Sequence, residues 1–137
     1  MIARHMVTAA ALALVAAQAS SQAPQGTTDW SRAEPVTVEL SNFKFSPSAI
    51  QLKQGRAYDL RLANMASGGH DFSAGEFFAA ARIMDADRAK ITEGRVAVAA
   101  GKSVDIHLVA PAPGTYKLRC THFMHSSFGM TGEIVVQ

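Results

Sequence analysis

The sequence predicts an all-β fold, a β-sandwich of about seven or eight short strands with one short helical insertion. Apolar and polar residues alternate in short runs, as in residues 36–40 and 58–62, and this period of two is typical of strands with one buried face. Glycine and proline separate the runs, most clearly in Pro-Ala-Pro-Gly at residues 111–114. Short strands punctuated in this way favour a sandwich.

The chain is predicted to have three parts. Residues 6–17 form an apolar run after Arg4 without an acidic residue. The run is shorter than the roughly 20 residues of a membrane span, so residues 1–19 are interpreted as a secretory signal, with cleavage after Ala23 as the alternative. Residues 20–34 are polar and predict a flexible N-terminal segment, and residues 35–137 form the folded domain. We therefore expect a periplasmic or otherwise exported protein, without stable membrane insertion after signal removal.

Strand runs are predicted along the whole folded domain. They lie at residues 36–40, 43–45, 50–53, 58–62, 96–98, 104–108, 115–120 and 134–136. Pro47 marks a break, because proline cannot donate to a strand ladder. His107 lies out of phase with Ile106 and Leu108, which predicts a solvated side chain.

One segment departs from the strand pattern and predicts the helical insertion. Ser73 and Glu76 have the spacing of a capping box, and the alanine-rich residues 77–90 follow them. An apolar face of Phe77, Ala80, Ala81 and Met84 predicts a helix lying on the sandwich. Met84 is interpreted as a core residue and not as a metal ligand.

Charge excludes some classes of partner. The chain has 13 basic and 11 acidic residues and a net charge of +2, which falls to +1 once Arg4 is removed with the signal. The charges alternate in sign along the sequence, so neither a nucleic-acid footprint nor a polybasic membrane patch is predicted.

The single cysteine lies in a stretch rich in soft donor atoms. Cys120, His125 and Met130 have the spacing C-x4-H-x4-M, and copper prefers thiolate, imidazole and thioether ligands. Exported proteins normally use cysteines in pairs, so a lone one suggests metal ligation; a buried inert thiol is the alternative. His70 is the candidate for a second imidazole, because the Ser-Gly-Gly turn at residues 67–69 can deliver it to the same end of the sandwich.

Strand phase supports a copper site. Tyr116, Leu118 and Cys120 share one face of their strand, so Cys120 is expected to point inward, where a thiolate is costly unless a cation neutralises it. Two imidazoles, a thiolate and a weak axial thioether suit both oxidation states of copper, whereas zinc gains little from the thioether. The alternative is a metal-free immunoglobulin-like sandwich whose donor residues are incidental.

These motifs resemble those of the cupredoxins, the blue-copper proteins of the plastocyanin, azurin and auracyanin kind. His70 precedes a Y-x-L-x-C strand, and C-x4-H-x4-M-x-G-x-I-V-V follows. Phe-x-Phe-x-Pro at residues 43–47 and Pro-Gly-Thr-Tyr at residues 113–116 belong to the same resemblance, which covers roughly residues 36–137.

The resemblance implies a Greek-key sandwich that holds one copper ion near one end. It places three ligands equatorially and one axially, and these are His70, Cys120 and His125, with Met130 in the axial position. It also implies that Thr121 ties the ligand loops together.

Some positions depart from the family pattern. Asp71 stands where many relatives have asparagine, and an ionised carboxylate there would favour the oxidised metal and lower its reduction potential. Phe123 and Met124 replace a Pro-Gly pair. His122 is interpreted as a loop residue or as a residue that contacts a ligand, with direct ligation in place of His125 as the alternative. Met124 is interpreted as surface or partner-facing, with an extra soft ligand as the alternative.

The sequence thus predicts a mononuclear copper protein that carries one electron and is not an enzyme. The electron would leave through His125, and Phe123, Met124 and Phe128 would form an apolar docking patch for redox protein partners. The alternative is a periplasmic copper-binding chaperone or copper-resistance protein that serves a copper-accepting protein. The protein is expected to be a monomer.

Overall fold

Two five-stranded sheets face each other across an apolar core in the computed structural model, which describes residues 26–122 and 129–137. The strands are β1 (Glu34–Ser41), β2 (Lys44–Ser46), β3 (Ala49–Leu52), β4 (Ala57–Asn64), β5 (His70–Ser73), β6 (Arg82–Ile83), β7 (Arg95–Val98), β8 (Ser103–Val109), β9 (Gly114–Arg119) and β10 (Thr131–Val136). The order is β2-β1-β4-β8-β6 in one sheet and β3-β10-β9-β5-β7 in the other.

The predicted all-β sandwich is confirmed. Every predicted strand run overlaps an observed strand, and two strands that were not predicted, β5 and β6, bring the described chain to ten. Strands β1 and β4 pair in parallel, as do β3 and β10, while the other ladders are antiparallel. Neighbouring strands in the sequence often lie in different sheets, which is the crossover connectivity of a Greek key.

The core follows from the alternation that predicted the strands. In β4, the side chains of Tyr58, Leu60 and Leu62 are buried in turn while Arg61 is exposed. Phe45 of one sheet and Phe72 of the other meet edge to face, with ring centroids 5.9 Å apart. Each such fully buried apolar side chain stabilises the fold by about 1.5–3 kcal/mol.

The extent of the predicted helix is wrong. Helix α1 spans only Gly75–Ala80, and the chain then extends through β6 into a 3-10 helix at Asp85–Lys90. Strand β6 pairs with β8, so sheet pairing overrides the helical propensity of the alanine-rich segment. Among the described residues, no helix is long and apolar enough to cross a membrane.

The predicted capping box and single apolar face are wrong as well. Ser73 lies in β5, where it pairs with Arg95 and Arg119, and alanine occupies the N-cap position of α1. Phe77 and Phe78 are both buried, whereas Ala80 is exposed. Two adjacent phenylalanines therefore anchor one short turn of helix, in place of a stripe along a longer one.

A buried carboxylate attaches the 3-10 helix to β8. Asp87 accepts hydrogen bonds from the backbone N–H of His107 (2.8 Å) and from Lys90 Nζ (2.6 Å), and its Oδ2 lies 2.9 Å from His107 Nδ1. His107 is therefore tied to Asp87 instead of being a freely solvated side chain. Burial alone would raise the pKa of Asp87, but the hydrogen bonds from Lys90 and His107 outweigh it and hold this pKa below its ordinary value.

Replacing this carboxylate should destabilise the fold in a pH-dependent way. We expect Asp87→Asn to lower the free energy of unfolding at pH 7 by about 1–2 kcal/mol, measured by urea denaturation. Because the folded-state pKa is depressed, the contribution of Asp87 is present above the unfolded pKa of about 3.9 and is lost as the pH falls through the folded value. The difference between the two proteins should therefore shrink below about pH 4.

Asp85→Asn is the matched control, because Asp85 forms an exposed ion pair with Arg88 in the same 3-10 helix. Its effect should stay within about 0.5 kcal/mol. Equal losses in the two variants, or a loss for Asp87→Asn that does not change with pH, would contradict this assignment.

Candidate metal site

Three of the four predicted ligand residues converge at one end of the second sheet. His70 begins β5, Cys120 follows the last residue of β9, and Met130 precedes β10. Strand β9 pairs with β5 on one side and with β10 on the other, so the sheet brings the three positions together. His125 lies outside the described residues.

The sulfur of Cys120 lies close to a ring nitrogen of His70. Cys120 Sγ and His70 Nδ1 are 3.8 Å apart, and both residues are at most 1% exposed. Met130 is fully buried, and its backbone carbonyl accepts a 3.1 Å hydrogen bond from the Cys120 N–H. A thiol, an imidazole and a thioether therefore belong to one shielded end of the sandwich.

The surroundings of Cys120 have opposing effects on its ionisation. Burial is the largest influence and raises the pKa of the Cys120 thiol above its ordinary value. The backbone N–H groups of Asp71 and His122 donate hydrogen bonds to the sulfur and lower this pKa, while the Asp71 carboxylate raises it. The neutral thiol is favoured without a cation, and the two N–H donors suit a thiolate when a metal neutralises it.

Asp71 ties together the two strands that end beside the predicted ligands His70 and Cys120. Its side chain is buried, and its Oδ1 accepts a 2.7 Å hydrogen bond from the backbone N–H of Thr121. Its Oδ2 accepts a second hydrogen bond from the Thr121 hydroxyl. Asp71 follows His70 and Thr121 follows Cys120, so these bonds fix the spacing of the two donors. The tie that the resemblance implied for Thr121 is present.

His122 lies beside the candidate ligands. Its ring stacks on that of His70 with centroids 6.2 Å apart, and its Nε2 is 3.8 Å from Asp71 Oδ2. A Cβ atom added to Gly69 would lie 3.4 Å from His122 Cε1, an ordinary contact distance, so this ring packs beside the glycine turn. The His122 side chain is 42% exposed, which makes it a link between the buried site and solvent.

Sequence reasoning missed Asn64, which fixes the turn leading to His70. Its Nδ2 donates to the carbonyls of Gly68 and Val98, both at 2.9 Å, and its Oδ1 accepts from the Ala66 N–H at 2.9 Å. Asn64 is buried and in phase with the apolar residues of β4. A polar residue at the inward phase of a strand end was the signal that could have identified it.

Gly132 sets the path of the chain after Met130. A Cβ atom at this position would lie 2.5 Å from the carbonyl oxygen of Ser48 and 3.2 Å from Leu118 Cδ2. The backbone of β10 therefore approaches the segment before β3 more closely than any side chain would allow.

The donors present fit a copper ion. His70 Nδ1 and Cys120 Sγ are 3.8 Å apart. Because metal bonds to nitrogen and sulfur are about 2.0–2.3 Å long, one ion can bind both atoms at this separation. Within residues 26–122 and 129–137, no group of three or more His, Cys, Asp and Glu side chains is arranged to hold a metal. Of the four predicted ligands, only His70 and Cys120 are residues of these types within those ranges, because Met130 offers a thioether and His125 lies outside them.

The chain belongs to the cupredoxin family, because the family model described as the cupredoxin-like domain matches residues 6–136. This finding confirms the resemblance on which the sequence interpretation relied. No curated protein matches the chain.

Solved structures agree on the fold. Auracyanin from the photosynthetic bacterium Roseiflexus castenholzii, in a dithionite-reduced form, is 19% identical, with a TM-score of 0.59 over 77% of this chain and 98% of its own. Auracyanin A from Chloroflexus aurantiacus, described as a "blue" copper protein, is 21% identical, with a TM-score of 0.52 over 75% and 99%.

The fold also occurs as part of larger proteins. A multi-copper oxidase from Pseudomonas thermotolerans is 20% identical to this chain, with a TM-score of 0.62 over 83% of it. The match spans only 32% of the oxidase. The shared fold therefore includes both small copper proteins and parts of oxidases, so the fold alone does not define the function.

Removing the Asn64 side chain should loosen the turn that carries His70. We expect Asn64→Ala to lower the free energy of unfolding of the metal-free protein by about 2–4 kcal/mol, because it leaves buried carbonyl and N–H groups without their partner. Thermal or urea unfolding measures the loss. The control is Met65→Ala at the adjacent, 67% exposed position, where a change within about 0.5 kcal/mol is expected. A loss for Asn64→Ala no larger than that of the control would contradict the role.

Proposed function

We propose that this cupredoxin is a mononuclear copper protein that carries one electron between redox partners. One copper ion, alternating between Cu(I) and Cu(II), would be held by His70, Cys120, His125 and Met130. The proposal is carried by one observation: a fully buried cysteine Sγ lies 3.8 Å from a buried histidine Nδ1, on neighbouring strand ends.

The rigidity of these strand ends suits electron transfer. Copper supplies the one-electron chemistry when bound. The chain holds His70 through β5 and the Asn64 turn, and it holds Cys120 through β9 and the Asp71 tie. Donors fixed in this way move little between oxidation states, so little reorganisation opposes the transfer of an electron.

The end of the sandwich that carries the ligands supports partner docking. Phe43 and Met65, respectively 42% and 67% exposed, are the exposed large apolar side chains of the described residues. Phe43 lies between β1 and β2, and the Met65 N–H bonds to the Leu40 carbonyl at the end of β1. We propose that they extend the docking patch expected around His125 from Phe123, Met124 and Phe128. Small apolar patches of this kind suit weak, transient redox complexes.

The remaining parts of the proposal follow from the sequence. A signal at residues 1–19, or 1–23, would export the chain to the periplasm or beyond, and the mature domain would act as a monomer. The proposed carrier is not an enzyme, because a single buried copper would serve one-electron exchange and not substrate turnover.

Copper handling is the second candidate, and His122 favours it. This half-exposed imidazole lies over His70 and faces Asp71, where it could pass copper between solvent and the buried donors. A chaperone or resistance protein would bind Cu(I) tightly, deliver it to an accepting protein and exchange electrons slowly. A reversible potential with fast self-exchange favours the carrier.

Copper(II) should give the loaded protein an intense visible absorption band that depends on the buried sulfur. We expect Cys120→Ser and His70→Ala to lose this band, because each removes a buried donor. His107→Ala is the matched histidine control, since His107 lies in β8 of the other sheet, and it should keep the colour. Circular dichroism of the metal-free proteins checks that each variant folds. A colourless wild type, or a Cys120→Ser variant with an unchanged band, would overturn the proposal.

A charge placed in the docking patch should slow electron exchange. We expect Met65→Glu to lower the electron self-exchange rate about tenfold, measured by line broadening in mixtures of the two oxidation states, because two like charges meet in the encounter complex. Gln54→Glu adds the same charge at the opposite end, near Gln137, and should change the rate less than twofold. Equal effects of the two variants would show that docking does not use this end.

A further inference from the structure

Asp71 is buried next to two proposed ligands, His70 and Cys120. The charge of its carboxylate has no role in the function proposed above. We infer that Asp71 sets which oxidation state of copper the site prefers, by placing a negative charge beside the metal while it ties the ligand strands together. The inference rests on the proposed function and deepens it. Asp71 is a positioning residue here, because it acts on the metal through His70, Cys120 and their surroundings.

The hydrogen bonds around Asp71 are those of a carboxylate. Both side-chain oxygens accept hydrogen bonds from Thr121, one from its backbone N–H at 2.7 Å and one from its hydroxyl. In addition, His122 Nε2 lies 3.8 Å from Asp71 Oδ2. An ionised carboxylate offers only acceptors, and the two Thr121 groups approach Asp71 as donors, which is the arrangement that a carboxylate fits.

Among the residues that the structure describes, the Arg95 guanidinium lies close enough to offset part of the Asp71 charge. Arg95 on β7 donates from Nη1 to the Thr121 hydroxyl oxygen at 3.4 Å and faces Glu93 at 3.5 Å. The Arg95 and Glu93 side chains are 43% and 80% exposed, whereas that of Asp71 is 5% exposed. Water screens the exposed charges more than the buried one, so the carboxylate dominates the local potential.

The change in charge of the copper site on reduction determines the direction in which Asp71 acts. Reduction by a redox protein adds one electron, converts Cu(II) to Cu(I) and lowers the charge of the site by one. A fixed negative charge stabilises the more positive Cu(II) state more strongly. Asp71 should therefore raise the affinity for Cu(II) relative to Cu(I) and lower the reduction potential.

Substitutions can separate the charge of Asp71 from its hydrogen bonds. In Asp71→Asn, the amide oxygen can still accept from the Thr121 N–H, and the amide nitrogen can donate to the Thr121 hydroxyl oxygen. This variant removes the charge and keeps the tie. Thr121→Val does the reverse, because it removes one hydrogen bond and keeps the carboxylate.

The experiment measures Cu(I) and Cu(II) affinities by competition with chelators, together with unfolding of the metal-free proteins. Asp71→Asn should shift the affinity ratio about tenfold toward Cu(I), which corresponds to a rise in potential of about 59 mV for one electron. Its stability without metal should change little. Thr121→Val should lower that stability and shift the ratio less than Asp71→Asn does.

Arg95→Gln provides an independent test of the charge. Loss of this cation should shift the affinity ratio in the opposite direction, toward Cu(II), by about threefold. A purely structural role for Asp71 would not produce opposite shifts for the loss of opposite charges. If Asp71→Asn does not fold, Asp71→Ser replaces it, because this variant removes the same charge and should also shift the ratio toward Cu(I). Asp105→Asn, in β8 of the other sheet, is the control for removing a carboxylate far from the site and should leave the ratio unchanged.

The outcomes separate this inference from the proposed function. Ratios within twofold of wild type in Asp71→Asn, or a shift toward Cu(I) in Arg95→Gln, would overturn the role of Asp71. A wild type that binds copper in both states but does not cycle reversibly would overturn the electron-carrier proposal alone, because the affinity ratio remains measurable. A wild type that binds copper in neither state would overturn both.

Discussion

The two hydrogen bonds from Thr121 to the Asp71 carboxylate are the constraint on which the candidate metal site depends. They join the start of β5 to the end of β9, and these are the points at which His70 and Cys120 leave the sheet. Backbone N–H groups of Asp71 and His122 then reach the sulfur. One local network thus sets the donor spacing and the electrostatic surroundings of the cysteine. A site built on strand ends in this way is more rigid than one built on loops.

The sheets behind this network explain why it can be buried. Alternating strands supply an apolar core that encloses Phe45 and Phe72, and Asn64 satisfies the turn before His70. The buried side chains of Asn64 and Asp71 at this end both have hydrogen-bond partners, which offsets the cost of burying their polar atoms. At the other sheet, the buried carboxylate of Asp87 is likewise hydrogen-bonded, and it attaches the 3-10 helix to β8.

Much of the fold could be predicted from the sequence, because apolar and polar residues alternate along a strand that buries only one face. The inward phase of Cys120 followed from Tyr116 and Leu118 in this way, and the structure has Cys120 fully buried. Strand β5 was not predicted, because its buried residues include His70 and Asp71; polar side chains buried for a site break the apolar pattern. The helix was predicted too long, because propensity does not record that β6 pairs with β8.

We propose that one ligand set holds copper in both oxidation states. X-ray absorption at the copper edge, recorded on the same loaded protein before and after reduction, measures the copper–ligand distances in each state. We expect one short copper–sulfur distance and two copper–nitrogen distances that persist in both states, with small changes in length. Loss of a nitrogen or of the short sulfur distance on reduction, or a Cu(I) centre bound by sulfur alone, would rule out a single ligand set and favour copper handling.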